Sequence, residues 1–251
     1  MTNPELILVA IALGGTCVAI YTDLKERIIP NRMTFPLIAF GIFSWLIVGI
    51  FRGDLWTATS GALGAALSFA IGYAMWLTGG WAGGDVKLFT AYGALLPFYR
   101  PPSQIPPYPF PITILFNSVI SIIPAMLVYA AVQRARGQGI LYERVKITEL
   151  KEGMIPAELI YEKGGKIIRG VSRLGLKPRG IRVLADPNRA AGFTRQQAGA
   201  LKRLVRNKRL ENTIKLKRGM PYAPALGAGI FIGVFYGDIY LKILSAVTGT
   251  A

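Results

Sequence analysis

The chain is 251 residues long, 52% hydrophobic, with a mean hydropathy of +0.42 and a formal net charge of +16. That apolar content excludes an ordinary soluble domain, and the length accommodates several membrane spans plus one small soluble domain. Histidine is absent, which excludes Ser-His and Cys-His nucleophilic catalysis and His-ligated metal chemistry; the single cysteine, Cys17, excludes an intrachain disulfide and a multi-cysteine zinc site, so no metal and no cofactor is expected.

In chain order, residues 6–22 form a first apolar run. No basic stretch precedes it and no small-residue cleavage signal follows it before Asp23, so it reads as a span rather than a signal peptide. The polar stretch DLKERIIPNR occupies 23–32, and a second span covers 33–51. A third covers 56–78, with Gly61, Gly64, Ala65 and Gly72 at a small-residue spacing that suits close helix packing in lipid. GGWAGGD at 79–85 breaks the pattern; its glycines permit close backbone approach or positive φ. A short fourth span follows over 86–99, then a Pro-rich loop over 100–111 that cannot be helical throughout. Residues 112–132 and 221–243 supply spans five and six.

The segment between the last two spans is different in kind. YERVKITEL and GGKIIRGVSR read as strands joined by a Gly-containing turn, IRVLAD at 181–186 as a third strand, and TIKLK at 213–217 as a last one. Thr194, with Gln197 three residues on, predicts a capping box opening a helix that runs to about Arg209. The fold class expected is therefore mainly α: a polytopic membrane bundle of six transmembrane helices with a small cytoplasmic α+β domain inserted between helices 5 and 6. The divisions fall at 1–132, 133–219 and 220–251.

Charge fixes the orientation. Of the 29 Lys and Arg, 22 lie between Arg134 and Arg218, and Lys25, Arg27 and Arg32 follow the first span; the alternate loops hold only Arg52 and Arg100. The positive-inside rule then places both chain termini outside and the basic insert in the cytoplasm of a multi-pass cell-membrane protein. The insert has few aromatics for base stacking, so anionic membrane lipids, not nucleic acid, are the partners its charge implies.

This topology brings Asp23 and Asp85 to one depth at the cytoplasmic surface, on two spans running in opposite senses. Two carboxylates sharing a water can divide peptide hydrolysis: one, ionised, takes a proton from water, and the other, protonated, polarises the carbonyl and protonates the leaving amine. Read singly, Asp23 beside Lys and Arg at a helix end is an ordinary cap or ion-pair residue, and the glycine run a flexible loop. Asp54 sits in an external turn, and Asp238 has Lys242 at i+4 for a simple pair. Met220–Gly227 re-enters the membrane at the level of both aspartates. It reads either as a proline-initiated helix or as a groove offering unpaired backbone to an extended substrate.

These segments carry a resemblance. DLKERIIPNRMT at 23–34, AGGDVKL at 82–88 and MPYAPALG at 220–227 resemble the prepilin and preflagellin (prearchaellin) peptidases, the membrane aspartic proteases with a G-x-G-D motif. The resemblance implies catalytic roles for Asp23 and Asp85. It implies substrate-binding or loop-shaping roles for Pro30, Asn31, Gly83, Gly84, Lys87, Pro224 and Leu226. Ala82 stands where the motif has its first glycine. One cysteine and little chain ahead of the first span match the archaeal form, which implies cleavage without methylation of the new N-terminus. The implied substrates are flagellin-like or type IV pilin-like precursors, which lose a short, positively charged leader ahead of a hydrophobic segment. Two readings stand beside this one. The first is a presenilin-like intramembrane protease, which shares the chemistry and which Pro224-Ala225-Leu226 resembles. The second is a non-enzymatic membrane protein with a basic, lipid-facing domain.

Overall fold

The computed structural model describes residues 3–78, 80–101, 105–135, 142–170, 182–187, 192–217 and 222–249. The chain divides into two compact units, one formed by residues 1–127 and 221–251 and the other by 128–220.

The first unit is helical. Its helices are α1 (Asn3–Glu26), α2 (Asn31–Arg52), α3 (Leu55–Leu77), α4 (Gly83–Leu95), α5 (Phe110–Ala135), which continues into the second unit, α7 (Ala223–Phe235) and α8 (Ile239–Thr248). Four of them, α1, α2, α3 and α5, are long and apolar enough to cross a membrane, and α7 with α8 makes a fifth crossing if the bent pair is one span. Among the described residues, length and composition thus give four or five crossings. At 13 residues, α4 is only about 20 Å long, short of a hydrocarbon core of roughly 30 Å. The sixth apolar run is broken by a 64° bend. Gly237 takes φ 95° there, and Asp238 caps α8 by accepting the Leu241 N–H at 3.0 Å.

Packing is inverted relative to a soluble protein. On α3 the small residues Ser60, Gly61, Gly64, Ala65, Ser68 and Gly72 are buried, and Leu63, Phe69, Tyr73 and Leu77 face outward. Without a hydrophobic drive between helices in lipid, close backbone approach is what holds them together. A Cβ on Gly64 would meet the Gly93 carbonyl oxygen at 2.2 Å, and one on Gly49 would meet the Ala58 backbone at 2.2 Å, so α3 lies directly against both α4 and α2. The core of this unit centres on α4, where Leu88, Phe89, Tyr92, Leu95 and Leu96 are fully enclosed. The Trp45 indole donates to the Leu95 carbonyl at 3.0 Å, satisfying an orphan acceptor at the end of α4.

The second unit contains β1 (Tyr142–Val145), β2 (Leu159–Lys163), β3 (Lys166–Gly170), β4 (Arg182–Ala185), α6 (Arg195–Arg206) and β5 (Ile214–Lys217). The three-stranded sheet has the order β3-β2-β4, and β1 pairs with β5, all antiparallel. The hairpin differs from the sequence expectation. Gly164 and Gly165, both at positive φ, turn β3 back onto 159–163 and not onto YERVKITEL. That earlier segment gives β1 and then a short 3₁₀ turn at Ile147–Glu149. The capping box is as expected: Gln197 N–H donates to Thr194 Oγ1, and Thr194 N–H donates to Gln197 Oε1. Leu201 on the apolar face of α6 joins Ile147, Ile160, Phe193 and Ile214 in a separate core. Gly79, Ile181, the expected strand end at 171–173, Met220 and Pro221 lie outside the described residues.

Candidate active site

On α1 the buried positions Leu8, Ala12, Thr16, Ala19 and Asp23 recur every three or four residues, a single stripe. Asp23 is the last of them and its only charge, 7% exposed. Its Oδ2 accepts the Ala223 N–H at 3.2 Å, so the open N-terminus of α7 holds a carboxylate 200 residues away in sequence. Asp85 stands in the first turn of α4, 5% exposed, and its Oδ2 accepts the Ala82 N–H at 2.9 Å. Each carboxylate is thus fixed by one backbone donor.

Both line one open cavity of about 390 Å³, together with Arg27, Ile28, Ile29, Asn31, Ala82, Gly83, Gly84 and Lys87. Lys87 Nζ donates to Asn31 Oδ1 at 2.6 Å and lies 5.6 Å from the centroid of the Phe35 ring, tying α4 to the start of α2. Two acid–base groups beside a cavity that admits solvent can activate a water against a bound carbonyl.

Of the residues singled out in the sequence, Asp23, Asp85, Gly83, Gly84, Asn31 and Lys87 meet at this cavity. Pro30 is not among the lining residues; it caps α2, its carbonyl accepting from Met33 and Thr34 N–H at 3.1 and 3.2 Å. Of the two uses expected of the glycine run, positive φ is not taken up at Gly80, Gly83 or Gly84. A Cβ on Gly84 would meet the Ile29 side chain at 3.1 Å, so this glycine lets α4 approach the α1–α2 connection, while one on Gly83 would meet nothing within 4 Å. Ala82 has φ −84° and ψ 160°, which any residue adopts, and contributes through its N–H; no glycine is needed there.

Pro224 and Leu226 do not line the cavity. Pro224 sits in the first turn of α7, the favoured place for proline. Leu226 is fully buried in the core, and Gly227 faces Thr16 and Ile20 of α1, where a Cβ would come within 2.5 Å of the Ile20 side chain. Over its described part, Tyr222–Gly227, the segment is a packed helix start and not a groove of unpaired backbone. Leu226→Trp is therefore expected to overpack this core and to destabilise by on the order of 2 kcal/mol, read as a lowered Tm of the detergent-solubilised protein.

The other two aspartates of the helical unit are occupied. Asp54 caps α3, and hydrogen bonds from Thr57 hold its carboxyl below the ordinary range. Asp238 is fully buried but does not pair with Lys242 as the i+4 spacing suggested. It accepts from the Tyr108 hydroxyl at 2.7 Å, and Lys242 donates to the Tyr236 carbonyl at 2.8 Å. The sequence reading missed Arg27, Ile28, Ile29 and the Ala82 and Ala223 amides. Backbone donors carry no side-chain signal, and Ala223 comes to the site only through the tertiary fold.

Comparison with known proteins identifies the family. Residues 10–126 match the model of the type IV leader peptidase family. The chain is similar to prepilin peptidase EppA of Methanothermobacter thermautotrophicus, 42% identical over 137 residues, half of this chain and 35% of that protein. It is also similar to a preflagellin peptidase of Methanococcus voltae, 30% identical over 180 residues, 66% of this chain and 74% of that protein. The matched segment contains both carboxylates of the cavity. On these grounds the chain is a member of the type IV leader peptidase family.

Proposed function

We propose that the chain is a membrane aspartic endopeptidase that removes the short, positively charged leader from flagellin-like or type IV pilin-like precursors at the cytoplasmic membrane face. The observation that carries this reading is a pair of buried carboxylates, from α1 and α4, lining one open cavity. Two carboxyl groups that face one water divide the work by sharing a proton. The ionised member takes a proton from water as its oxygen adds to the scissile carbonyl carbon, and the protonated member gives its proton to the carbonyl oxygen. Collapse of the diol breaks the C–N bond, a proton passes to the leaving nitrogen, and a free carboxyl and amine result. Asp23 and Asp85 fill these roles jointly. Gly83, Gly84, Asn31 and Lys87 shape the opening.

The basic residues after α1 and throughout 133–219 support a cytoplasmic site, with that segment as a soluble α+β domain against anionic lipid and both termini outside. In this topology α4 serves as the fourth of six crossings. It is enclosed by neighbouring helices and does not face lipid, so it need not match the bilayer in length. A leader held in the cytoplasm, ahead of an apolar segment in the bilayer, then meets the carboxylates at the membrane boundary.

Incubating the membrane-inserted protein with a precursor tests the reading: a shortened product is expected, and none would refute it. Under chemistry-limited conditions the pH–rate profile is expected to be bell-shaped, both limbs belonging to the pair. A flat profile between pH 4 and 9 would exclude a carboxylate dyad.

A further inference from the structure

Thr16 and Tyr92 form a fully buried side-chain pair between α1 and α4, their hydroxyl oxygens 2.9 Å apart. The Thr16 hydroxyl donates to the Ala12 carbonyl at 2.7 Å, which uses its one hydrogen, so the Tyr92 hydroxyl is the donor to Thr16 Oγ1. Asp23 lies seven residues after Thr16, and Asp85 lies seven residues before Tyr92. Seven residues are close to two helical turns, about 10.5 Å of rise with only about 20° of rotation. Thr16 and Tyr92 share a hydrogen bond and Asp23 and Asp85 share a cavity, so a rising number on α1 meets a falling one on α4, the helices run antiparallel, and the same count along each reaches the same level on the same face.

We infer that the Thr16–Tyr92 hydrogen bond is the register pin that brings Asp23 and Asp85 level with one another, making Thr16 and Tyr92 positioning residues for the dyad. The inference rests on the proposed dyad chemistry. Several features single out this pair. The rest of the α1 stripe facing inward is apolar, Leu8, Val9, Ala12 and Ala19, and apolar contacts tolerate sliding where a directional bond does not. A slip of one residue on α1 would carry Asp23 about 1.5 Å along the axis and 100° around it, out of the cavity. Both residues are fully buried, so losing the bond to Thr16 would leave the Tyr92 hydroxyl a buried donor without this partner, a cost that favours the bonded register. Gly227 of α7 lies against the Thr16 methyl, where a Cβ would stand 3.1 Å away, so the helix that supplies the Ala223 amide to Asp23 is set against the same residue.

The test uses the full-length protein in detergent with a precursor substrate, comparing Tyr92→Phe, Thr16→Val, Thr16→Ser and the Thr16→Val/Tyr92→Phe double variant. Tyr92→Phe and Thr16→Val are each expected to lower kcat by about tenfold or more with KM unchanged, since misplacement of the reacting groups affects chemistry and not binding. The two limbs of the pH–rate profile are expected to move toward each other as the carboxylates couple less strongly. The double variant should be no slower than the slower single one, because both remove one bond. Thr16→Ser, which keeps the hydroxyl, should restore kcat and the profile. Folded Tyr92→Phe with kcat within about twofold of the parent and an unaltered profile, even at a lowered Tm, would overturn the pin and leave the pair a purely structural contact. Cleavage by Asp23→Asn or Asp85→Asn in the same assay would instead remove the dyad reading, and the pin with it.

Discussion

Asp23→Asn and Asp85→Asn are each expected to abolish precursor cleavage, with a fall of at least about 10³-fold in kcat, while the protein stays folded and inserted. The structure explains why folding should survive. Each carboxylate is held by one backbone N–H, from Ala223 or Ala82, and an asparagine carbonyl oxygen can accept the same bond. Relief of charge repulsion between two buried acids offsets part of what is lost. The chemistry has no such substitute, because an amide neither takes a proton from water nor gives one to a leaving nitrogen. Activity in membranes, read beside Tm, separates the two effects. Asp54→Asn is the control: Asp54 caps α3 away from the cavity, and its variant should cleave at the parent rate. Cleavage by either Asp23→Asn or Asp85→Asn at near the parent rate would remove that residue from the mechanism.

The second large effect is expected where α3 crosses α4. Gly93 stands so close to α3 that a Cβ would fall 2.1 Å from Ser68 Oγ and 2.2 Å from the Gly64 carbonyl oxygen. Backbone cannot swing aside as a flexible side chain can, so Gly93→Ala must push the helices apart, at a cost of about 3 kcal/mol. Because α4 also carries Asp85 in its first turn, the separation moves one carboxylate relative to the other. Gly93→Ala is therefore expected to lose both thermal stability and activity. Gly83→Ala is the comparator, since a Cβ there meets open space and Tm should be unchanged. A Gly93→Ala protein with parental Tm would show that α3 and α4 are not in backbone contact.

Much of the arrangement is legible in the sequence, for identifiable reasons. Asp23 and Asp85 stand out because carboxylates at the ends of apolar runs are expensive to bury and few in number. The small-residue spacing of α3 announces a close crossing, and a Thr-to-Gln spacing announces the start of α6. What was not legible depends on contacts distant along the chain. Nothing near Ala223 in sequence indicates that its amide serves Asp23. Leu226 looks like a groove residue only until α1 and α7 are seen to close over it. The strand at Leu159–Lys163 has no alternation strong enough to mark it beside YERVKITEL, yet the Gly164-Gly165 turn pairs it with β3. At Gly237-Asp238 the signal for a break was present, a glycine followed by a capping aspartate, but the continuous apolar run around it outweighed that signal. In membranes hydropathy reports length in lipid and not straightness.

The central claim is that two carboxylates at a membrane boundary cut a precursor ahead of its hydrophobic segment. It is tested most directly by sequencing the N-terminus of the product formed when membranes carrying the parent protein, or the Asp23→Asn/Asp85→Asn double variant, are incubated with a leader-bearing precursor. The account predicts a single new N-terminus at the junction of leader and apolar segment with the parent protein, and none with the double variant. A product N-terminus inside the apolar segment, or the same product from the double variant, would contradict it.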